Sequence, residues 1–378
     1  MKKETKCVHS KDNIDVITQG INTPIFVSTA HNYVGKDSVV YPRYFNTVNQ
    51  KVIEDKICVL ENAENSIVFS SGMAAITTVL FAILEGGDHA IFQDEIYGGS
   101  HAFVENYFKK FGILSTFVDK DAEAFEEAIT PKTKIIYIET PTNPLLGIVD
   151  IKKIVEIASN RNLVTVIDNT FATPILQNPL NLGVDIVVHS GTKYLGGHSD
   201  LSCGVVATNK ALGSKIRMTA VNFGGNVNPL TCHILERSLK TLNLRVERQT
   251  KNAFKIAEAL NYHPKIDRVF YPGLKSHKGY LIAKGQMSGF GAMLSFRLKN
   301  PKISADDVFN RLKIVKPAVS LGGIETTICD PARTSHAKVS PKLREKLGIG
   351  DNLLRLSVGI EDANDLIEDI FKALETLE

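Results

Sequence analysis

The sequence predicts an α/β fold, with a large domain on a mainly parallel seven-stranded sheet and a smaller α+β C-terminal domain. Three observations predict it. Short apolar runs recur at 67–69, 89–93, 113–118, 135–138, 164–167, 185–189 and 204–207. Several are continuously apolar rather than alternating, as strands covered on both faces are. Between most of them lie stretches long enough for a crossover helix, at 100–111, 123–128 and 151–160. Strands alternating with helices point to a parallel sheet.

The remaining elements follow in order. Residues 1–60 hold Pro24 and Pro42 and show little periodicity, so they read as an arm packed on something else. Residues 61–250 make the large domain. Pro229 opens a glycine-free stretch with apolar residues at helical spacing, which reads as one long helix or two abutting helices over 228–260. Residues 251–378 make the smaller domain, with strands expected at 292–298, 318–321 and 353–358 and helices at 305–312 and 363–377.

Composition narrows the function classes. The chain has 378 residues, 44 basic against 41 acidic side chains and a net charge of +3. So small an excess gives no whole-protein field for nucleic acid or an anionic membrane. The five cysteines are odd in number, widely spaced and free of any CxxC pair. Neither a disulfide framework nor a metal site is expected, and a reducing compartment, the cytoplasm, fits. The basic start has no apolar stretch behind it, so no secretory signal is read. The most apolar stretch, 67–84, is too polar and too short to span a membrane.

Ligands of open parallel sheets bind beyond the carboxyl ends of the strands. Five strand ends present chemistry there. Ser70-Ser71-Gly72-Met73 opens a helix and offers N–H groups and hydroxyls to an anion. Tyr97 offers a flat aromatic face. Glu139-Thr-Pro-Thr-Asn143 follows the fourth run, and Asp168 ends the fifth with a carboxylate that burial would leave wanting a cation. Ser190 and Thr192 add two hydroxyls, and Lys193 an amine whose pKa partial burial lowers. Singly, each reads as a surface lysine, a helix cap or half-buried packing. Together, a phosphate site, an amine, a buried carboxylate and an aromatic platform describe a site for pyridoxal 5'-phosphate (PLP). Two rivals are weaker. Ser190-Gly-Thr-Lys193 matches the S-x-x-K of serine acyl-transfer enzymes, but S-D-N and K-T-G strings are absent. GFGAM at 289–293 lacks the third glycine of a dinucleotide fingerprint.

HSGTKYLGGHSD at 189–200 resembles the lysine block of the Cys/Met-metabolism PLP enzymes, which include cystathionine synthases and lyases, methionine γ-lyase and homoserine-ester sulfhydrylases. SSGMAA, IYGG, ETPTNPLL, DNTFATP, SLGGIE and LLRLSVGIED resemble that family's other blocks, in its order. The resemblance implies the PLP-dependent transferase fold (fold type I). It implies Lys193 as the cofactor-bearing lysine and proton shuttle, Asp168 on the pyridine nitrogen and Tyr97 on the ring. Gly72, Met73, Ser190 and Thr192 would hold the phosphate, and Asn143 would sit by the ring hydroxyl. Arg355 would bind the substrate carboxylate, with Ser320 and Val319 in the same pocket. Tyr41 and Arg43 would reach the neighbouring subunit's phosphate site, Tyr41 also assisting acid–base steps. The arm would then be exchanged between subunits of a dimer, commonly a dimer of dimers.

The sequence departs from the family in places. The block after Tyr41 and Arg43 reads Asn46-Thr47-Val48 instead of N-P-T, and Cys329 to His336 reads CDPARTSH. The implied activity is carbon–sulfur lysis of cystathionine, homocysteine or cysteine by β- or γ-elimination. The alternative is a γ-replacing cystathionine γ-synthase or O-acylhomoserine sulfhydrylase. Gly99 resembles the cystathionine enzymes, where methionine γ-lyases often have cysteine. Val319 resembles the methionine γ-lyases, where cystathionine γ-lyases and γ-synthases often carry an acid.

Overall fold

The structure is a computed structural model that describes residues 1–10, 15–337 and 341–375. All seven expected strands of the large domain form: β1 (Asn65–Phe69), β2 (His89–Gln93), β3 (Leu114–Val118), β4 (Thr133–Glu139), β5 (Val164–Asp168), β6 (Ile186–Ser190) and β7 (Gly204–Thr208). They lie in the order β1-β7-β6-β5-β4-β2-β3. Only β7 runs against its neighbours, pairing antiparallel with both β1 and β6.

The continuous apolar runs have the cause expected of them. Residues alternate between two buried layers, Ile138, Ile167 and Val187 on one side and Tyr137, Val166 and Val188 on the other. The first layer is covered by helices that include Val48–Glu61, Ile151–Ser159 and Leu242–Asn261. The second is covered by Gly72–Ile83, Gly98–Tyr107 and Lys210–Phe223. Strand β3, whose run includes Ser115 and Thr116, is a half-exposed edge.

Part of the expected irregular arm is helical. Residues Val48–Glu61 form a helix with a Thr47–Gln50 capping box, and Ile53, Ile57 and Leu60 enter the core. A short helix, Lys3–His9, also buries Cys7. The stretch after Pro229 is two abutting helices, Pro229–Leu239 and Leu242–Asn261.

The smaller domain holds a second sheet of β8 (Ile266–Phe270), β9 (Met293–Leu298), β10 (Lys316–Pro317), β11 (Thr327–Cys329) and β12 (Leu353–Ser357). Its order is β10-β11-β12-β9-β8. The strand expected at 318–321 is instead a loop. Ser320 has a left-handed backbone, φ 76°, which a strand does not admit. The helix expected at 363–377 runs Ala363–Glu375, and residues 376–377 lie outside the described residues. Helix Ala305–Phe309 ends three residues before its expected limit.

Candidate active site

A cavity of about 580 Å³ opens where the carboxyl ends of β1, β6, β5, β4 and β2 meet the smaller domain. Eleven residues expected at the site line it: Gly72, Met73, Tyr97, Asn143, Asp168, Ser190, Thr192, Lys193, Val319, Ser320 and Arg355. Tyr41 and Arg43 do not line it. Arg43 Nη1 donates to the Val221 carbonyl at 2.7 Å, at the end of helix Lys210–Phe223, and Tyr41 is 40% exposed.

The anion end is built by β1 and β6. Ser71 caps helix Gly72–Ile83 by accepting from the Ala74 N–H at 3.1 Å. Gly72 and Met73 are the first two helical residues, whose N–H groups have no intrahelical acceptor. The backbone approaches Ser190 closely there: a Cβ on residue 72 would lie 3.0 Å from the Ser190 Cβ. Thr192 Oγ1 exchanges hydrogen bonds with the Cys203 backbone, donating at 3.2 Å and accepting at 3.1 Å. Beneath Ser190, buried His189 and Glu61 meet at 2.5 Å, Nε2 to Oε1. The Val48–Glu61 helix therefore underlies the site.

Asp168 ends β5 and is 7% exposed. Its Oδ1 accepts from the Thr170 N–H at 3.0 Å, and burial raises its carboxyl above the usual range. Among the described residues no Lys or Arg pairs with it, so the carboxylate still wants a cation.

Lys193 follows β6. Its Nζ donates to Ser320 Oγ at 2.7 Å, and burial, with the Arg355 charge nearby, lowers its pKa. Arg355 stands on β12 and is 4% exposed. Its Nη1 donates to Asn143 Oδ1 at 2.7 Å and its Nη2 to the Ser320 carbonyl at 3.3 Å, while Nε is buried without a partner. It has no carboxylate partner among the described residues. A buried guanidinium in that state is a seat for an incoming carboxylate.

Tyr97 caps helix Gly98–Tyr107, and its N–H donates to Glu139 Oε2 at 2.7 Å. Glu139 also lines the cavity, as do Ser71, Thr170 and Phe171 from the large domain and Arg333, Thr334 and Ser335 from the smaller one. Of these, Ser71 and Glu139 stand at strand ends read from the sequence, whereas Phe171, Thr334 and Ser335 carry no sequence expectation as site residues. The signal for Glu139 was present, since it ends an apolar strand as Asp168 does.

These features fit PLP: an unpaired buried carboxylate for a pyridinium, free N–H groups for a phosphate and an amine of lowered pKa for an aldehyde. Comparison with known proteins agrees. The Cys/Met metabolism PLP-dependent enzyme family matches residues 4–375. The chain belongs to this family. It is 42% identical to a cystathionine gamma-lyase of Bacillus subtilis, over 100% of both chains. It is 44% identical to an L-methionine gamma-lyase of Fusobacterium nucleatum, over 89% of this chain and 86% of that one. A crystal structure of cystathionine gamma-lyase from Lactobacillus plantarum complexed with L-serine superposes with a TM-score of 0.96 at 40% identity, covering 100% of this chain and 99% of the other. The family member described here is a PLP-dependent carbon–sulfur lyase.

Proposed function

We propose that the enzyme eliminates the sulfur substituent of a small amino acid, namely cystathionine, homocysteine or cysteine, by β- or γ-elimination. The observation that carries this is Arg355, buried and without a carboxylate partner among the described residues, beside the Lys193 amine. A substrate carboxylate on Arg355 would bring its α-carbon toward Lys193. When bound, PLP supplies an electron sink that weakens the bonds at that carbon.

The chain's own residues supply the rest. Gly72, Met73, Ser190 and Thr192 would hold the phosphate, Asp168 the ring nitrogen and Asn143 the ring hydroxyl. Lys193, whose amine burial and the nearby Arg355 charge make easier to deprotonate, moves protons at the substrate α- and β-carbons. Ser320 fixes the amine between turns by accepting its hydrogen bond. Tyr97 lines the cavity and would offer its face to the ring, and its phenol would assist proton transfer to the leaving sulfur. Val319, 70% exposed at the rim, borders the path of the leaving group.

Gly99 supports a cystathionine enzyme over a methionine γ-lyase. A Cβ there would lie 2.4 Å from the Tyr97 ring, so this ring position calls for glycine.

Two copies would share sites, with Tyr41 and Arg43 reaching the partner's phosphate and two dimers forming a tetramer. The run of exposed apolar residues Ile21, Val27, Tyr33, Val34 and Val39 supports an arm covered by another subunit. The five free cysteines support a reducing compartment, the cytoplasm. No described helix is long and apolar enough to cross a membrane.

A substrate panel with product analysis tests the reading. Release of a keto acid from cystathionine, homocysteine or cysteine, without an added thiol, marks the lyase. Thioether formation from an acylated homoserine and cysteine, with no keto acid released, would mark the γ-replacing alternative. Turnover retained in Lys193→Ala would point to the Ser190 acyl-transfer reading and sink this one.

A further inference from the structure

Glu139 and Asp168 stand directly opposite one another on the paired strands β4 and β5. Both line the cavity, at 5% and 7% exposure. The cations of the cavity are engaged elsewhere. Lys193 bonds Ser320, Arg355 bonds Asn143 and the Ser320 carbonyl, and Arg333 bonds Asp306 and Asp330. His189 on β6 also bears favourably on Asp168, but its Nε2 is engaged by Glu61, and among the described residues no Lys or Arg pairs with either carboxyl group. Two carboxyl groups thus share a buried position, and two such neighbours do not both ionise.

Their partners differ. Asp168 accepts from the Thr170 N–H. Glu139 accepts the N–H of Tyr97 at 2.7 Å and so ties β4 to the residue that opens helix Gly98–Tyr107. Tyr137 on β4 and Glu95 in the loop after β2 also face Glu139, and neither brings it positive charge. Burial, with the Asp168 charge added, raises the Glu139 carboxyl well above the usual range.

We propose that Glu139 is a positioning residue that works as a neutral acid: it seats Tyr97 over the cavity and leaves Asp168 as the anion facing the ring nitrogen. The proposal rests on the cofactor site described above. An ionised Glu139 would set a second negative charge beside Asp168 and change how the bound ring titrates. A glutamine has the same shape and acceptor without the charge, so it should replace Glu139.

The test uses wild-type holoenzyme, Glu139→Gln and Glu139→Ala. Visible absorption and circular dichroism of the bound cofactor are followed against pH. Cofactor affinity is measured by titrating PLP into the stripped enzyme, and melting reports the fold. Glu139→Gln should keep its affinity within about threefold of wild type, with the same pH midpoint. Glu139→Ala, without an acceptor for the Tyr97 N–H, should bind about tenfold more weakly and lose dichroism. A shifted midpoint in the Gln variant, or a Gln variant as impaired as Ala, would overturn the proposal. So would an Ala variant identical to wild type. If Ala does not fold, the Gln midpoint decides alone. A wild-type protein without the cofactor band would instead defeat the cofactor site itself, and this proposal with it.

Discussion

Arg355 and Asn143 meet at 2.7 Å, guanidinium Nη1 to amide Oδ1, across 212 residues of chain. Asn143 follows β4 of the first sheet and Arg355 lies in β12 of the second, so this bond crosses the seam between the sheets where the cavity lies. Ser320 joins the same seam, accepting from Lys193 through its hydroxyl and from Arg355 through its carbonyl. The amine and the guanidinium are thus set by one residue in a left-handed conformation.

Arg355→Ala should raise KM for a thio-amino acid by about 10²- to 10³-fold, the loss expected when a buried charged hydrogen-bond pair is removed. The cofactor band should survive, because the residues placed on the cofactor do not include Arg355. Steady-state kinetics beside visible absorption checks both. A variant that loses the band would show that Arg355 serves the cofactor instead.

Shared sites make a mixing prediction. Arg43→Ala and Lys193→Ala should each be inactive alone. After denaturation and co-refolding, half of the dimers formed are mixed, and each mixed dimer carries one site with both native residues. Roughly a quarter of wild-type activity should return. No recovery, with mixed dimers demonstrated by differential tagging, would rule out the exchange of Arg43 between subunits.

The strand ends were legible because a sheet buried on both faces demands continuous apolar runs, and the first polar residue after each run then marks its exit. Lys193, Asp168 and Tyr97 were found that way. The Val48–Glu61 helix was not. Its buried face includes Asn49, Gln50, Glu54, Lys56 and Glu61, so the apolar period is broken by polar residues that find partners only in the folded state, as Glu61 does with His189. The backbone of Ser320 escaped for a different reason, since nothing in a lone serine announces a positive φ. Glu139 was visible as a strand end, but its meaning depends on the β4–β5 register, which sets it against Asp168.

His277 predicts a pH dependence of stability. Its Nδ1 accepts the Gly279 N–H at 3.0 Å, which needs the neutral ring. Burial, with Arg268 adding repulsion, lowers its pKa from 6.5 to about 4. The unfolded chain therefore binds this proton first as pH falls. Stability from the neutral ring is complete above about 6.5 and is lost as pH drops toward about 4. The loss is at most about 3 kcal/mol. Melting temperature followed against pH should fall less steeply over that window in His277→Leu. Parallel curves for the two proteins would remove His277 as a cause.

Gly99→Ala should separate stability from cofactor binding. Residue 99 lies in the first turn of helix Gly98–Tyr107, where alanine is a better helix former than glycine by up to about 1 kcal/mol. Its Cβ, however, would lie 2.4 Å from Tyr97 Cε1 and 2.9 Å from Cζ. The Tyr97 ring is 43% exposed and free to swing outward, so the collision is relieved by moving the ring, not the backbone. The melting temperature of the cofactor-free protein should hold or rise slightly. Cofactor affinity should fall about three- to tenfold, the worth of one aromatic stacking contact, with reduced dichroism of the bound cofactor. A variant with unaltered dichroism and affinity would mean that the ring keeps its seat despite the methyl group, and that glycine at this position does not set the platform for Tyr97.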